Sequence, residues 1–107
     1  MRTQLKMTRG RGFHLNFTNG LTLSVQIGAG NYCDNYNEPF DGEGPLPSST
    51  CAEIAVWPQS GDFVNIKGDS VGGYVPVQDL FLLMTVLSSL PQDATESQIE
   101  DAITGVL

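Results

Sequence analysis

Apolar and polar residues alternate through two stretches near the start of the chain. Phe13, Leu15 and Phe17 recur on one side of a strand, with His14, Asn16 and Thr18 on the other. Leu21, Leu23, Val25 and Ile27 then alternate with Thr22, Ser24 and Gln26. Asn19-Gly20 stands between them, a pair that tolerates the positive φ angles of a type I′ turn. The pattern predicts a β-hairpin whose apolar set faces a core, and a period of two lets the turn decide which set that is.

Beyond Ile27 no period survives until Cys51. Gly28, Gly30, Gly42, Gly44, Pro39, Pro45 and Pro47 break the chain into a long loop over residues 28–50. A loop of that length inside a small domain is commonly functional or disordered. "CAEIAVW" (51–57) reads as a third strand ended by Pro58, and "FVNI" (63–66) as a fourth. Tyr74 and Val75 after Gly72-Gly73 suggest one more short extended piece.

From Val77 the period becomes helical: Val77, Leu80, Phe81, Leu83, Met84, Leu87 and Leu90 form a broad apolar stripe. Pro76 suits the start of this helix, Asp79 sits near its positive end, and Pro91 stops it. Thr95 followed by Gln98 resembles a capping box, which predicts a short second helix burying Ile99, Ala102, Ile103 and Val106. The expected fold is α+β: a small antiparallel sheet of about four strands, starting with a β-hairpin and packed on one main helix, with a short C-terminal helix. Residues 1–12 read as a basic N-terminal tail and 13–107 as a single domain.

Composition modifies this picture in one respect. The chain of 107 residues carries a net charge of −7, yet Arg2, Lys6, Arg9 and Arg11 are four of its five basic residues. After Arg11 only Lys67 opposes twelve carboxylates. An acidic body repels a phosphate backbone, so direct nucleic-acid binding is not expected. No stretch approaches the length and apolarity of a membrane helix, and no signal-peptide pattern opens the chain. Cys33 and Cys51 are the only cysteines, and a cytoplasmic setting predicts free thiols.

Candidate chemistry is sparse. A nucleophilic triad would have to use His14, the single histidine, which reads as an ordinary side chain on the polar sheet face. One His and two distant Cys do not make a structural zinc site. Asp34, Glu38, Asp41 and Glu43 cluster in the loop, but "DNYNEPFDGEGP" lacks the ligand order of a calcium loop. "GAGN" follows a strand without the helix that a phosphate-binding fingerprint needs. Neither a catalytic residue, a metal nor a cofactor is expected. What stands out is a set of recognition groups. Ser24 and Gln26 share the strand face that leads into Asn31 and Tyr32, with His14 on the same face and Arg9 and Arg11 just ahead of it. Amides, hydroxyls and aromatic rings of this kind recognise a nucleobase or another small polar ligand.

Phe17, Asn19, Gly20, Thr22, Ser24, Val25, Gln26, Gly28, Gly30, Asn31, Tyr32 and Cys33 form an F-x-N-G-x-T-x-S-V-Q-x-G-x-G-N-Y-C motif. In this segment the chain resembles a group of small bacteriophage and prophage proteins. The resemblance implies a phage accessory protein in the host bacterial cytoplasm. It carries no residue roles. Small phage proteins without catalytic constellations often act on host immunity, which by analogy gives two expectations. One is a non-enzymatic protein that sequesters a small nucleotide-like signal. The other is an acidic protein–protein interaction module, an effector blocker or virion-associated factor that engages a host defence protein. Exposed sheet edges and the C-terminal segment make a homo-oligomer reasonable.

Overall fold

A computed structural model describes residues 3–8, 11–38 and 48–107. Five strands, β1 (Gln4–Thr8), β2 (Gly12–Asn16), β3 (Thr22–Gln26), β4 (Cys51–Trp57) and β5 (Gly72–Pro76), form one antiparallel sheet in sequential order. Two helices follow, α1 (Val77–Ser88) and α2 (Glu96–Val106). The α+β class holds, with one more strand than expected. No helix among the described residues is long and apolar enough to cross a membrane.

The additional strand lies where a tail was expected. Gln4–Thr8 pairs with β2, setting Leu5 opposite Leu15 and Met7 opposite Phe13. "QLKMT" alternates apolar and polar residues like the hairpin behind it, a signal masked by the concentration of charge around it. Gly12 lets β2 run tightly beside β3, because a Cβ there would overlap the Val25 carbonyl. The predicted fourth strand at 63–66 is not a strand. Val64 N–H bonds the Val56 carbonyl and Ile66 bridges Asp69 across a turn, so Val64 and Ile66 reach the core from a loop.

The Asn19-Gly20 reversal forms, but not as a type I′ turn. Only Gly20 has positive φ (92°); the loop is Thr18, Asn19 and Gly20, closed by Phe17 N–H to Leu21 O at 2.9 Å and Gly20 N–H to Phe17 O at 3.0 Å. This is a three-residue hairpin loop completed by a left-handed glycine. The reason is tertiary. The Asn19 amide donates to the carbonyls of Leu87 (2.7 Å) and Leu90 (3.0 Å) while its oxygen accepts Leu21 N–H. It thereby satisfies carbonyls that the end of α1 leaves without helical partners.

Cross-strand register places Phe13, Leu15, Leu23, Val25, Ile54, Val56, Ala52 and Val75 on one sheet face. Leu80, Leu83 and Leu87 of α1 and Ile99 and Ile103 of α2 close the core over it. The capping box forms as expected, with Gln98 N–H to Thr95 Oγ1 at 3.1 Å and Thr95 N–H to Gln98 Oε1 at 2.8 Å. The helical stripe is wider than the sheet can cover, which leaves Val77 and Phe81 exposed, and Leu82, outside the stripe, is exposed as well.

Candidate functional site

The opposite sheet face carries the polar set, as the alternation requires. Lys6, His14, Ser24 and Ala55 form one row across it, and Gln4, Asn16, Thr22 and Trp57 the next. His14 and Trp57 stand on strands either side of β3, two strand spacings apart, or roughly 10 Å. Their rings nevertheless meet edge to face at 5.1 Å, and Phe63 stacks on Trp57 at 5.0 Å. The aromatic pair therefore roofs β3, which is why Thr22 and Ser24 are buried on a polar face. Partial burial, with the nearby Lys6 charge second, holds the His14 pKa below its ordinary value.

Beneath the roof, polar groups satisfy one another. Thr22 Oγ1 donates to Asn16 Oδ1 at 2.9 Å, Gln26 Nε2 donates to Ser24 Oγ at 3.2 Å, and Thr8 Oγ1 donates to Gln26 Oε1 at 3.1 Å. Ser24 is thus on the predicted face but shielded. Gln26 is half-buried at the strand end and, among the described residues, uses one amide N–H and one face of its oxygen.

The glycine-broken segment after β3 is well bonded. Gly28 and Gly30 adopt φ of 97° and 83°, turning the chain off the sheet. Gly28 N–H donates to Asn35 Oδ1 (2.8 Å) and Cys33 Sγ (3.2 Å), and the Cys33 thiol donates to the same oxygen at 2.8 Å. Asn35 Nδ2 reaches the Ser48 carbonyl at 2.9 Å, and Asn31 Nδ2 the Ile27 carbonyl at 3.0 Å. Asn31, Cys33 and Asn35 are buried, so they serve as anchors for the loop. Cys33 and Cys51 are both free thiols. Asp34 accepts the backbone N–H of Thr50, its hydroxyl and the Cys51 thiol, which lowers the Asp34 pKa. Burial, then the Asp34 carboxylate, raises that of Cys51. Of the loop acids, Asp34 and Glu38 are described; Asp41 and Glu43 lie outside the described residues.

What the loop presents outward is aromatic. Tyr32 stacks on Tyr36 with ring centroids 5.5 Å apart and planes 4° from parallel, and Tyr74 lies 6.1 Å from Tyr32 with its ring tilted by 32°. All three rings are exposed (39–58%). Hydrogen bonds fix their backbones: Tyr32 N–H donates to the Glu53 side chain at Oε2 (2.8 Å), Tyr74 N–H donates to the Tyr32 carbonyl (2.9 Å), and the Tyr36 carbonyl accepts Gly30 N–H (2.9 Å). Tyr74 reaches this position because β5 bulges. Between the pairs Ala52–Val75 and Ile54–Gly72, Glu53 faces both Gly73 and Tyr74, and Tyr74 takes φ of 53°. Gly73 admits the Tyr32 ring, since a Cβ there would sit 2.8 Å from Tyr32 Cβ.

Gly12, Gln26, Glu53 and Tyr32 therefore run in order across one end of the polar face, and Arg11 adjoins it as the residue before Gly12. Arg11 O accepts Ile27 N–H at 2.8 Å, Gln26 pairs with Glu53, and Glu53 binds Tyr32. Of the predicted residues, Gln26 and Tyr32 share this corner, and Arg11 adjoins it through its backbone bond to Ile27. Asn31 lies beneath it, His14 and Ser24 belong to the roofed rows, and Arg9 is outside the described residues. Glu53, Tyr36 and Tyr74 join the corner without having been predicted. Tyr36 lies in the "YCDNYN" string, whereas only the bulge brings Tyr74 alongside. Comparison of the chain with protein-family models, curated proteins and solved structures finds no match.

Proposed function

We propose that the protein is a non-enzymatic binding protein of bacteriophage type that acts against host immunity by sequestering a small nucleotide-like signal at the tyrosine corner. The observation that carries this reading is the exposed trio Tyr36, Tyr32 and Tyr74, whose backbones are fixed by hydrogen bonds at one end of a polar sheet face. Aromatic faces held in place stack on a planar base with little further ordering to lose. Gln26 and Glu53 at the margin offer an amide and a carboxylate for a base edge, and Arg11 offers a cation for a phosphate. The phage setting and the host cytoplasm rest on the sequence resemblance alone.

The test is thermal unfolding in the presence of cyclic and linear nucleotides. A ligand that binds only the folded state raises the melting temperature by mass action. The expected result is a shift with at least one nucleotide, lost in Tyr32→Ala, whose backbone bonds to Glu53 and Tyr74 persist. An unchanged melting temperature across the panel would overturn the reading.

A second reading, an acidic interaction module that engages a host defence protein, draws on the exposed Val77, Phe81 and Leu82 of α1. Exposed aromatic and aliphatic side chains on an acidic body suit a protein interface as well. A host protein that binds the wild type but not Phe81→Asp would favour it.

A further inference from the structure

A second aromatic surface stands at the end of the sheet away from the tyrosine corner. Trp57 lies four residues beyond Glu53 on β4, roughly 13 Å along the strand. Phe63 stacks on Trp57 with planes 24° from parallel, and His14 meets the indole edge to face. These two ring contacts fix the indole. The backbone beside Phe63 is anchored as well, because buried Val64 donates its N–H to the Val56 carbonyl at 2.7 Å. Phe63 is nevertheless 50% exposed, an aromatic ring held in place with solvent against it.

Trp57 and Phe63 border an open hollow of about 650 Å³ together with Gly61, Asp62 and Ser70. Asp62 and Phe63 also border an adjoining cleft of about 390 Å³ that extends to Glu96, in the first turn of α2. Both carboxylates are exposed, and among the described residues no lysine or arginine borders either space. Lys67, the one cation after Arg11, lines a different cleft beside β5. Aromatic rings flanked by carboxylates select the charge of what fits. A nucleotide would stack on the rings but bring its phosphate against two like charges. A guanidinium meets both demands: it is flat and weakly hydrated, stacks on an aromatic face, and donates its N–H fork to a carboxylate. The surrounding charge acts in the same direction, since twelve carboxylates face one lysine beyond Arg11 and draw in a cationic segment.

We propose that this hollow docks an arginine-bearing segment of a partner protein. One guanidinium stacks on Phe63 and pairs with Asp62, and a second basic residue meets Glu96 in the adjoining cleft. The surface shares no residue with the tyrosine corner, so it stands whether or not a nucleotide binds there.

Trp57 is the chain's single tryptophan, so its fluorescence reports on this surface directly. The experiment titrates the full chain with an end-blocked glycine hexapeptide carrying two arginines, beside its lysine and citrulline counterparts, at low and high salt. The arginine peptide is expected to change the emission saturably and to bind less tightly at high salt. The lysine peptide should bind more weakly and the citrulline peptide not at all. Asp62→Asn is expected to weaken the arginine peptide about fivefold. Phe63→Ala should weaken it by a similar factor. Circular dichroism checks that both are folded; if Phe63→Ala is not, Phe63→Leu keeps the bulk without the aromatic face. Asp101→Asn removes the same charge from an exposed position of α2 outside both spaces and should bind as the wild type does, as should Tyr32→Ala. Emission that never responds saturably would overturn the proposal. So would equal affinity for the arginine and lysine peptides, or equal losses in Asp62→Asn and Asp101→Asn, the sign of diffuse attraction to an acidic body.

Discussion

The two ends of β3 are built from the same kinds of residue and finish differently. At the leading end Gly20 turns left-handed after an asparagine whose amide grips carbonyls of α1. At the trailing end Gly28 turns left-handed before Asn31, Cys33 and Asn35, which grip the backbone of their own segment. The leading turn fastens the hairpin to the helix and leaves only Thr18 exposed. The trailing one folds its amides inward and leaves tyrosine rings outside. Both are rigid for the same physical reason: buried amides satisfying backbone groups. Irregular sequence here does not mean loose structure, and the candidate site lies where rigidity is combined with exposed rings.

Asn35→Ala is expected to have the largest effect on that comparison. It removes the acceptor shared by the buried Gly28 N–H and the Cys33 thiol, and frees the Ser48 carbonyl. Stranding buried donors costs about 2–4 kcal/mol, measured by denaturant unfolding. Hydrogen exchange should show Gly28 losing protection while the β2–β3 amides keep theirs. A uniform loss would mean that the loop is no independent unit.

Asn19→Ala acts at the other end and should cost less, about 1–2 kcal/mol, because its bonds are only partly buried. The last turn of α1 should fray, visible as faster exchange there, with the tyrosine corner unaffected. Equal loosening at both ends would refute their separation.

The smallest effect concerns pH. The folded pKa of His14 lies below its ordinary value of 6.5, so the unfolded chain takes up the proton first as pH falls. This contribution to stability is complete above 6.5 and is lost as pH falls through the lowered folded value. His14→Gln should flatten the dependence of stability on pH over that interval. An unaltered slope would place the titrating group elsewhere.

The site was legible only in part. Gln26 follows from strand alternation and Tyr32 from its place in the loop that leaves β3. Ser24 was assigned the right face but not the right exposure, because the roof over it comes from His14 and Trp57, strands apart, meeting across β3. Tyr74 could not be placed beside Tyr32 from the sequence, since their adjacency depends on a bulge and on two backbone bonds between segments far apart in the chain.

The chain by itself determined which side chains share a face, where the helices begin and end, and that the hairpin reverses at Gly20. Periods of two and 3.6, prolines and a capping box are local properties, and local geometry is enough to express them. Tertiary structure decided the rest: that the first residues pair as a strand, that the turn adopts the form its asparagine needs to hold α1, and which polar residues are covered. Those outcomes depend on contacts between segments distant in sequence, where burial and hydrogen-bond satisfaction outweigh local preference.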